Sequence, residues 1–295
     1  MIEVSVVIVS FNTKDLTLQC LNSVFAQNHV SYEVIVVDNA SSDGSVTEIK
    51  KSFPQVALIE NNKNKGFASA NNQAIKLAKG KFILLLNSDT LLLSEDSFSK
   101  MIKFMDIKRN AGICGCKVTR PGGRLDWPCK RSFQTPSVFF YRSLGLDRMF
   151  PGHKKFGKYH LTYLDENKTH EVDAITGAFF MIRRETIADI GLLDEKLFMY
   201  SEDMDWCFRA KLKNWKVFYY PEVQIIHYKS RSSNKRSNKI IYWWYYSTWY
   251  VYKKHKAKNY NFIINAAVFV GFCLMFGISF LRNAMIQSNK IPSRK

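Results

Sequence analysis

No Asp or Glu occurs from residue 227 to residue 295, although that stretch holds thirteen Lys or Arg. Of the formal net charge of +18, only +5 therefore belongs to everything before His227. A module that bound a phosphate backbone would carry its cations on its folded part, so a nucleic-acid-binding reading is disfavoured; a basic tail suits anionic lipid. Neither GxGxxG nor GxxxxGK(S/T) occurs, which removes the main support for dinucleotide and P-loop sites. A sugar nucleotidyltransferase would need a glycine-rich loop after the first strand, where this chain reads "VSFNTK". The six cysteines, at 20, 114, 116, 129, 207 and 273, show neither CxxC spacing nor a His partner set. They read as reduced, buried, small apolar residues of a cytosolic protein. The start, "MIEVSVVIVS", has an acid at Glu3 and no basic leader, so it reads as a first strand rather than a signal peptide.

What is present is a globular composition, 46% hydrophobic and 14% aromatic over 295 residues, enough for one large core and an appendage. The chain is organised around "FILLLNSDTLLL", residues 82 to 93. Its five leading apolar residues, between Gly80 and Asn87, predict a strand covered on both faces of a parallel sheet. Asp89 follows just beyond that strand's carboxyl end, where open sheets hold a ligand or a cation. Upstream, strand and helix alternate. Strands are expected over Ile2 to Ser10, Tyr32 to Val37 and Val56 to Glu60, the second ending in Asp38. Asn12 or Thr13 would cap the first helix, and a helix from about Phe67 to Ala78 would stop at Gly80 as a C-cap. Three such repeats argue a parallel α/β sheet. Further on, Ser201 is expected to cap a helix reaching about Asn214, which puts Glu202, Asp203 and Asp205 in its first turn, where the helix dipole favours carboxylates. Between 120 and 170, Pro121, Gly122 and Gly123 mark a turn, and the polar, irregular run 152 to 170 suits a mobile loop.

After His227 the composition changes twice. A Ser, Asn, Lys and Arg-rich linker runs to Lys239, and then Ile240 to Tyr252 holds eight aromatics in thirteen residues, followed by "KKHKAK". Tyr and Trp beside clustered Lys is a membrane-interface composition. Phe262 to Leu281 is interrupted only by Asn265 and Ser279, and as a helix it would span about 30 Å, a hydrocarbon core. A transmembrane helix is the favoured expectation, with a helix lying in the interface or a re-entrant hairpin as competitors, because basic residues flank both sides. The expected division is 1–230 catalytic domain, 231–261 basic and aromatic linker, 262–281 membrane helix and 282–295 basic tail.

Six motifs carry a resemblance: "VSVVIVSFN" (4 to 12), "VVDNASSDGS" (36 to 45), "NKGFASANNQAI" (64 to 75), "LLLNSDT" (84 to 90), "TGAFFMIRRE" (176 to 185) and "LDEKLFMYSEDMDWCFRAK" (193 to 211). In that order they resemble glycosyltransferase family 2, and within it the rhamnosyltransferase-like branch acting on polyprenyl-diphosphate-linked glycans. The resemblance implies the GT-A fold, a mostly parallel sheet flanked by helices, with the membrane-associated helical tail appended. It also implies an inverting mechanism, a dTDP- or UDP-sugar donor, Mg²⁺ or Mn²⁺, and catalysis at the cytoplasmic face of the cell membrane on a lipid-linked saccharide of surface polysaccharide or cell-wall glycan assembly. The implied transfer is of a hexosyl group, L-rhamnosyl from dTDP-rhamnose. Alternatives are another donor sugar (GlcNAc, glucose, galactose) or a polyprenyl-phosphate sugar synthase.

Carried over residue by residue, Asp89 becomes a metal ligand, with Asn87 standing where the familiar DxD motif has its first acid. His227 becomes the additional metal ligand, although the glycine-containing sequence expected after it is replaced by Tyr228, Lys229 and Ser230. Asp38 would accept the ring N–H of a pyrimidine, beside Ser10 and Asn12; its bland alternative is a turn cap. Gly66 would let the backbone approach the donor, with Asn64 and Asn72 as neutral hydrogen-bonding partners. Gly177 and Ala178 of "TGA" would lie near the transferred sugar. An inverting transfer needs one carboxylate to take the acceptor proton. The resemblance gives that role to Asp203, with Glu202 and Asp205 supporting or orienting the acceptor, and leaves Arg209 as a salt-bridge partner.

Overall fold

The computed structural model describes residues 2–229 and 238–288. The expected linker residues 230–237 and the tail residues 289–295 lie outside them. The first half is the anticipated alternation: β1 (Val4–Ser10), α1 (Lys14–Phe25), β2 (Tyr32–Asp38), α2 (Ser45–Ser52), β3 (Ala57–Glu60), α3 (Phe67–Leu77) and β4 (Phe82–Asn87). β2 pairs parallel with β1 and with β3, and β1 pairs parallel with β4. Phe82 to Leu86 are buried, as a strand covered on both faces requires.

The sheet then changes direction. After β5 (Thr90–Leu92), α4 (Ser97–Ile107) and β6 (Ala111–Thr119) come α5 (Pro136–Ser143), α6 (Leu146–Met149), β7 (His170–Val172), β8 (Phe179–Arg183) and α7 (Arg184–Ile190). α8 (Glu202–Leu212), β9 (Lys216–His227), α9 (Asn238–His255) and α10 (Phe262–Ser288) follow. The strand order is β3-β2-β1-β4-β8-β6-β9-β5, with β7 also on β9. β8 is antiparallel to both β4 and β6, so the loop before β8 reaches the carboxyl end of β4; Leu86 faces Phe179 in register, and the Asn87 amide donates to the Ala178 carbonyl at 3.1 Å. That antiparallel insertion brings "TGA" beside "NSD".

Three local expectations are corrected. α3 ends at Leu77 with Ala78 after it, and Gly80 is needed for a different reason: a Cβ there would fall 2.5 Å from the Ser5 amide nitrogen of β1. Ser201 precedes α8 in a left-handed conformation, φ 63°, and makes no side-chain cap bond. Of the six cysteines five are buried, but Cys273 is exposed on α10. The 152–170 run is irregular as expected, yet it is packed: Tyr159 and Leu161 are buried, and buried Lys130 donates to the Leu161 carbonyl at 2.7 Å.

α9 packs on the catalytic body rather than trailing from it. His255 Nε2 lies 2.6 Å from Asp205 Oδ1, Ser247 donates to the Met199 carbonyl, and Trp243 stacks on Phe198 with ring centroids 4.9 Å apart. Among the described residues α10 is the one helix long and apolar enough to cross a membrane, by length and composition.

Candidate active site

Two clusters of ionisable residues meet at the carboxyl ends of the central strands. The first forms where β4 runs into β5. Asp89 Oδ1 and His227 Nε2, from the end of β9, are 3.1 Å apart, and Asn87 Nδ2 is 3.4 Å from the same nitrogen. The antiparallel pairing of Thr90 with His227 sets this meeting. Behind the imidazole, Asp126 Oδ2 stands 3.9 Å from Nδ1, and that carboxylate is also held by Lys229 at 2.8 Å and Arg120 at 3.1 Å. Burial opposes a charged imidazole, but the carboxylates of Asp126 and Asp89 on its two sides outweigh it and raise its proton affinity. Burial likewise opposes ionisation of Asp126, and His227 and Lys229 overcome it and hold this acid well below the usual carboxylate range. Lys229 takes a left-handed backbone, φ 48°, at a position just after the histidine where the resemblance expects glycine-containing sequence.

Asp89 and His227 fit one divalent cation. The Asp89 carboxylate and the His227 Nε2 face each other at 3.1 Å, and Asp126 lies 3.9 Å behind Nδ1, the usual outer arrangement of a ligating histidine. No group of three His, Cys, Asp or Glu able to hold a metal exists among the described residues, so most of the coordination would have to come from a diphosphate and water.

The second cluster is the first turn of α8. Asp203 Oδ2 accepts from Arg131 Nη2 at 2.6 Å and from the Gly177 amide at 3.1 Å. Burial works against the Arg131 charge, and the Asp203 carboxylate more than restores it. Glu202 is buried and its Oε2 has no partner. Burial, then the charge of Asp203, pushes its carboxyl up to about 8, which favours the protonated form. Asp205 points away from this pair, wholly buried between Arg209 at 2.9 Å, Lys254 at 2.8 Å and His255 at 2.6 Å. Burial opposes its charge, and the hydrogen bond from His255 with the cations Arg209 and Lys254 reverses the effect and depresses its carboxyl. Asp205 is therefore a fastening between α8 and α9 and not an acceptor-facing group, while Arg209 is the ion-pair partner expected.

The remaining expected residues divide. Asp38 Oδ1 accepts from the Ser41 amide at 2.8 Å, and Oδ2 is buried without a partner, an acceptor left open at the end of β2. Asn12 Oδ1 accepts from the Ser42 amide and shapes the neighbouring turn. Gly66 has φ 83°, and a Cβ there would sit 2.6 Å from the Phe198 carbonyl oxygen; Asn64 Oδ1 accepts from its amide. Gly177 faces the Phe67 ring and the Glu202 carboxyl, both about 4 Å from where its Cβ would be. Ser10 and Asn72 have other work. The Ser10 hydroxyl is buried in a network with Thr13 and Thr17, at 3.4 and 3.0 Å. Asn72 bonds Leu193 through both its amide oxygen and its nitrogen, and the nitrogen also reaches Glu195, so it braces the 193–195 loop.

Sequence reading missed Asp126, Arg131 and His255. Arg131 is pinned by a two-way backbone bridge with Ala174, which aims its guanidinium at Asp203. The signal was faint: a Pro-containing turn, "LDWPCKRS", between a strand and a helix.

Comparisons with known proteins give the family and the fold. Rhamnosyltransferase WbbL of Escherichia coli K12 is 28% identical over 275 residues, 90% of this chain and 99% of WbbL. N-acetylglucosaminyl-diphospho-decaprenol L-rhamnosyltransferase of Mycobacterium tuberculosis is 24% identical over 216 residues, 68% of each protein. Some other relatives are matched over less than half of their own length. The structure of mannosyltransferase PcManGT from Pyrobaculum calidifontis, in complex with GDP-Man and Mn²⁺, superposes with TM-score 0.56 at 15% identity, covering 96% of this chain and 84% of that one, and shares the GT-A fold. The profile of Glycosyl transferase family 2 matches residues 5–191, so the chain belongs to that family and is a glycosyltransferase.

Proposed function

We propose that this glycosyltransferase moves a hexosyl group, L-rhamnosyl from dTDP-rhamnose being the first donor to test, onto a saccharide carried by a polyprenyl diphosphate at the cytoplasmic face of the cell membrane. The relatives' names support the acceptor class, since one acts on an N-acetylglucosaminyl-diphospho-decaprenol. The observation that carries the reading is the pairing of an Asp89–His227 contact with an Arg131-held Asp203, joined by the Asn87 to Ala178 bond across β4 and β8.

In this reading the open Oδ2 of Asp38 accepts the pyrimidine ring N–H, with Asn12 and Asn64 fixing the turns around the base. Asp89 and His227 hold Mg²⁺ or Mn²⁺. When bound, the cation supplies positive charge for the donor diphosphate as it arrives and as it leaves. Gly177 leaves room for the sugar beside Phe67 and Glu202, while Gly66 lets Phe198 pack closely against the start of α3. Glu202, protonated at neutral pH, donates a hydrogen bond to a sugar or acceptor oxygen. Asp203, oriented by Arg131 and the Gly177 amide, takes the acceptor hydroxyl's proton in a single inverting displacement, with no covalent nucleophile. The test is a thermal-shift screen of dTDP- and UDP-sugars with and without Mn²⁺, followed by product mass on a polyprenyl-diphosphate saccharide. A product formed on polyprenyl monophosphate alone would replace the acceptor assignment.

A further inference from the structure

The sequence leaves three options for the apolar helix: to span the bilayer, to lie in it, or to turn back within it. The packing of α10 separates them. Its two polar interruptions are spent on its own neighbourhood. Asn265 Oδ1 accepts from the Tyr252 hydroxyl at 2.8 Å, and its Nδ2 donates to the carbonyls of Ala257 and Tyr260. Ser279 Oγ lies 2.8 Å from the Tyr245 hydroxyl. Near the far end Asn283 donates to Asn238. α10 thus runs antiparallel along the whole of α9, whose 18 residues measure about 27 Å. The side turned away from α9 exposes Ile263, Val270, Leu274, Ile278, Leu281 and Met285 at helical spacing, with no charged or hydrogen-bonding group in that stripe.

The other flank of α9 is fastened to the catalytic body over the same length. From its start to its end these ties are Trp243 on Phe198, Tyr250 to Asp194 at 2.9 Å, Lys254 to Asp194 and Asp205, and His255 to Asp205. Standing α10 upright across about 30 Å of hydrocarbon would carry this layer in with it. Each ionisable group taken to the centre is strongly disfavoured there. A helix laid along a leaflet wets only its apolar stripe.

A second element continues that stripe. Phe139 of α5 stacks on Phe272 of α10 with centroids 4.5 Å apart, and beside it Phe140 and Leu144 are 57% and 56% exposed. A chain of ring contacts runs from Phe140 through Tyr141 and Phe156 to Phe150, which with Met149 is also exposed. Exposed Arg148, Lys154, Lys155 and Lys158 border it, and the one acid from 136 to 163, Asp147, is buried against Arg142. Apolar centre and cationic border are complementary to an anionic leaflet.

We infer that α10 lies in the plane of a single anionic leaflet, and that the α5–α6 segment is a second membrane contact beside it. This rests on the reading of α10 as the membrane attachment. It also places Arg131, five residues before α5 begins, on the segment that joins the catalytic carboxylate to the lipid surface.

The experiment uses the full chain with Cys273→Ser, added to preformed sealed vesicles of phosphatidylcholine and phosphatidylglycerol. Ala284→Cys is probed with a membrane-impermeant maleimide; Leu144→Cys and Leu274→Cys carry nitroxides compared for collision with oxygen and with a nickel chelate. Expected are labelling at 284 without lysis, and oxygen-dominated collision at both 144 and 274. Protection of 284 until detergent is added would mean a spanning helix and overturn the inference. Lipid contact at 274 with water contact at 144 removes the second element. Shielding of 144 from both probes, with spin–spin broadening, would assign that face to a second copy of the chain and also overturn it. Water contact at 274 itself sinks the underlying membrane reading instead.

Discussion

The donor-side strands and the carboxylate helix α8 solve the same problem differently. On the donor side, Asp38 and Asp89 are placed by strand ends a few residues away, and the sheet register does the rest. In the first turn of α8, Asp203 and Asp205 are placed by partners from distant segments: Arg131 is 72 residues from Asp203, and His255 is 50 residues from Asp205. The first kind of site tolerates losing a neighbour, because the backbone still delivers the side chain. The second kind is only as good as its long-range ion pairs.

The largest expected effect breaks the second kind. Asp205→Ala removes the common partner of Arg209, Lys254 and His255 and should cost about 3–5 kcal/mol of stability, the scale for half of a buried ion pair. A urea midpoint within error of the parent chain would show that α8 and α9 are not coupled through it. Next, Asp203→Asn should lower turnover at least about 100-fold with donor affinity retained. If Glu202→Gln were the dead enzyme and Asp203→Asn the active one, the base would be Glu202.

Asp89→Ala should abolish the Mn²⁺-dependent part of donor binding, because position 87 is Asn and offers no second carboxylate; calorimetry with the nucleotide diphosphate, with and without Mn²⁺, reads this. Asp126→Asn sharpens the comparison, since it touches the proposed metal site only through His227. A loss of about 10-fold in Mn²⁺ affinity is expected there, and no change would reduce Asp126 to a buried anchor for Lys229 and Arg120. The smallest effect is a pH dependence. Glu202 holds its proton up to about 8 when folded, against an ordinary 4.5. Its contribution is therefore fully present below about 4.5 and lost as pH rises toward 8. Glu202→Gln does not lose it, so the variant's Tm relative to the parent should climb between those pH values. A flat difference would contradict the buried, protonated state.

That division also explains what the sequence disclosed. The parallel half of the sheet, Asp38 and Asp89 were legible because apolar runs and the polar residues that end them are neighbours in the chain. Asn72 and Ser10 read as ligands because a polar side chain inside a motif looks the same whether it bonds a donor or a loop. Arg131 and Asp126 sat in a stretch without periodicity, and nothing local says that Arg131 bridges to Ala174 and so reaches Asp203. α9 was legible as an aromatic, interface-like segment, but its attachment to the body was not. Its His255 lies in "KKHKAK", which reads as a headgroup-binding cluster until one sees Asp205 beneath it.

The bond between Asp205 and His255 sets an order of events during synthesis. Translation at about 5–20 residues per second needs roughly 3–10 s to make the 50 residues separating them. For that interval α8 exists with Asp205 still waiting for two of its three partners, Lys254 and His255, while the β1 to β4 half has all its strands. The β1 to β4 half can therefore fold early, and the carboxylate turn becomes rigid only when α9 arrives, just ahead of the apolar helix α10. A nascent chain stalled before α9 should then be able to hold a nucleotide without being able to spend it.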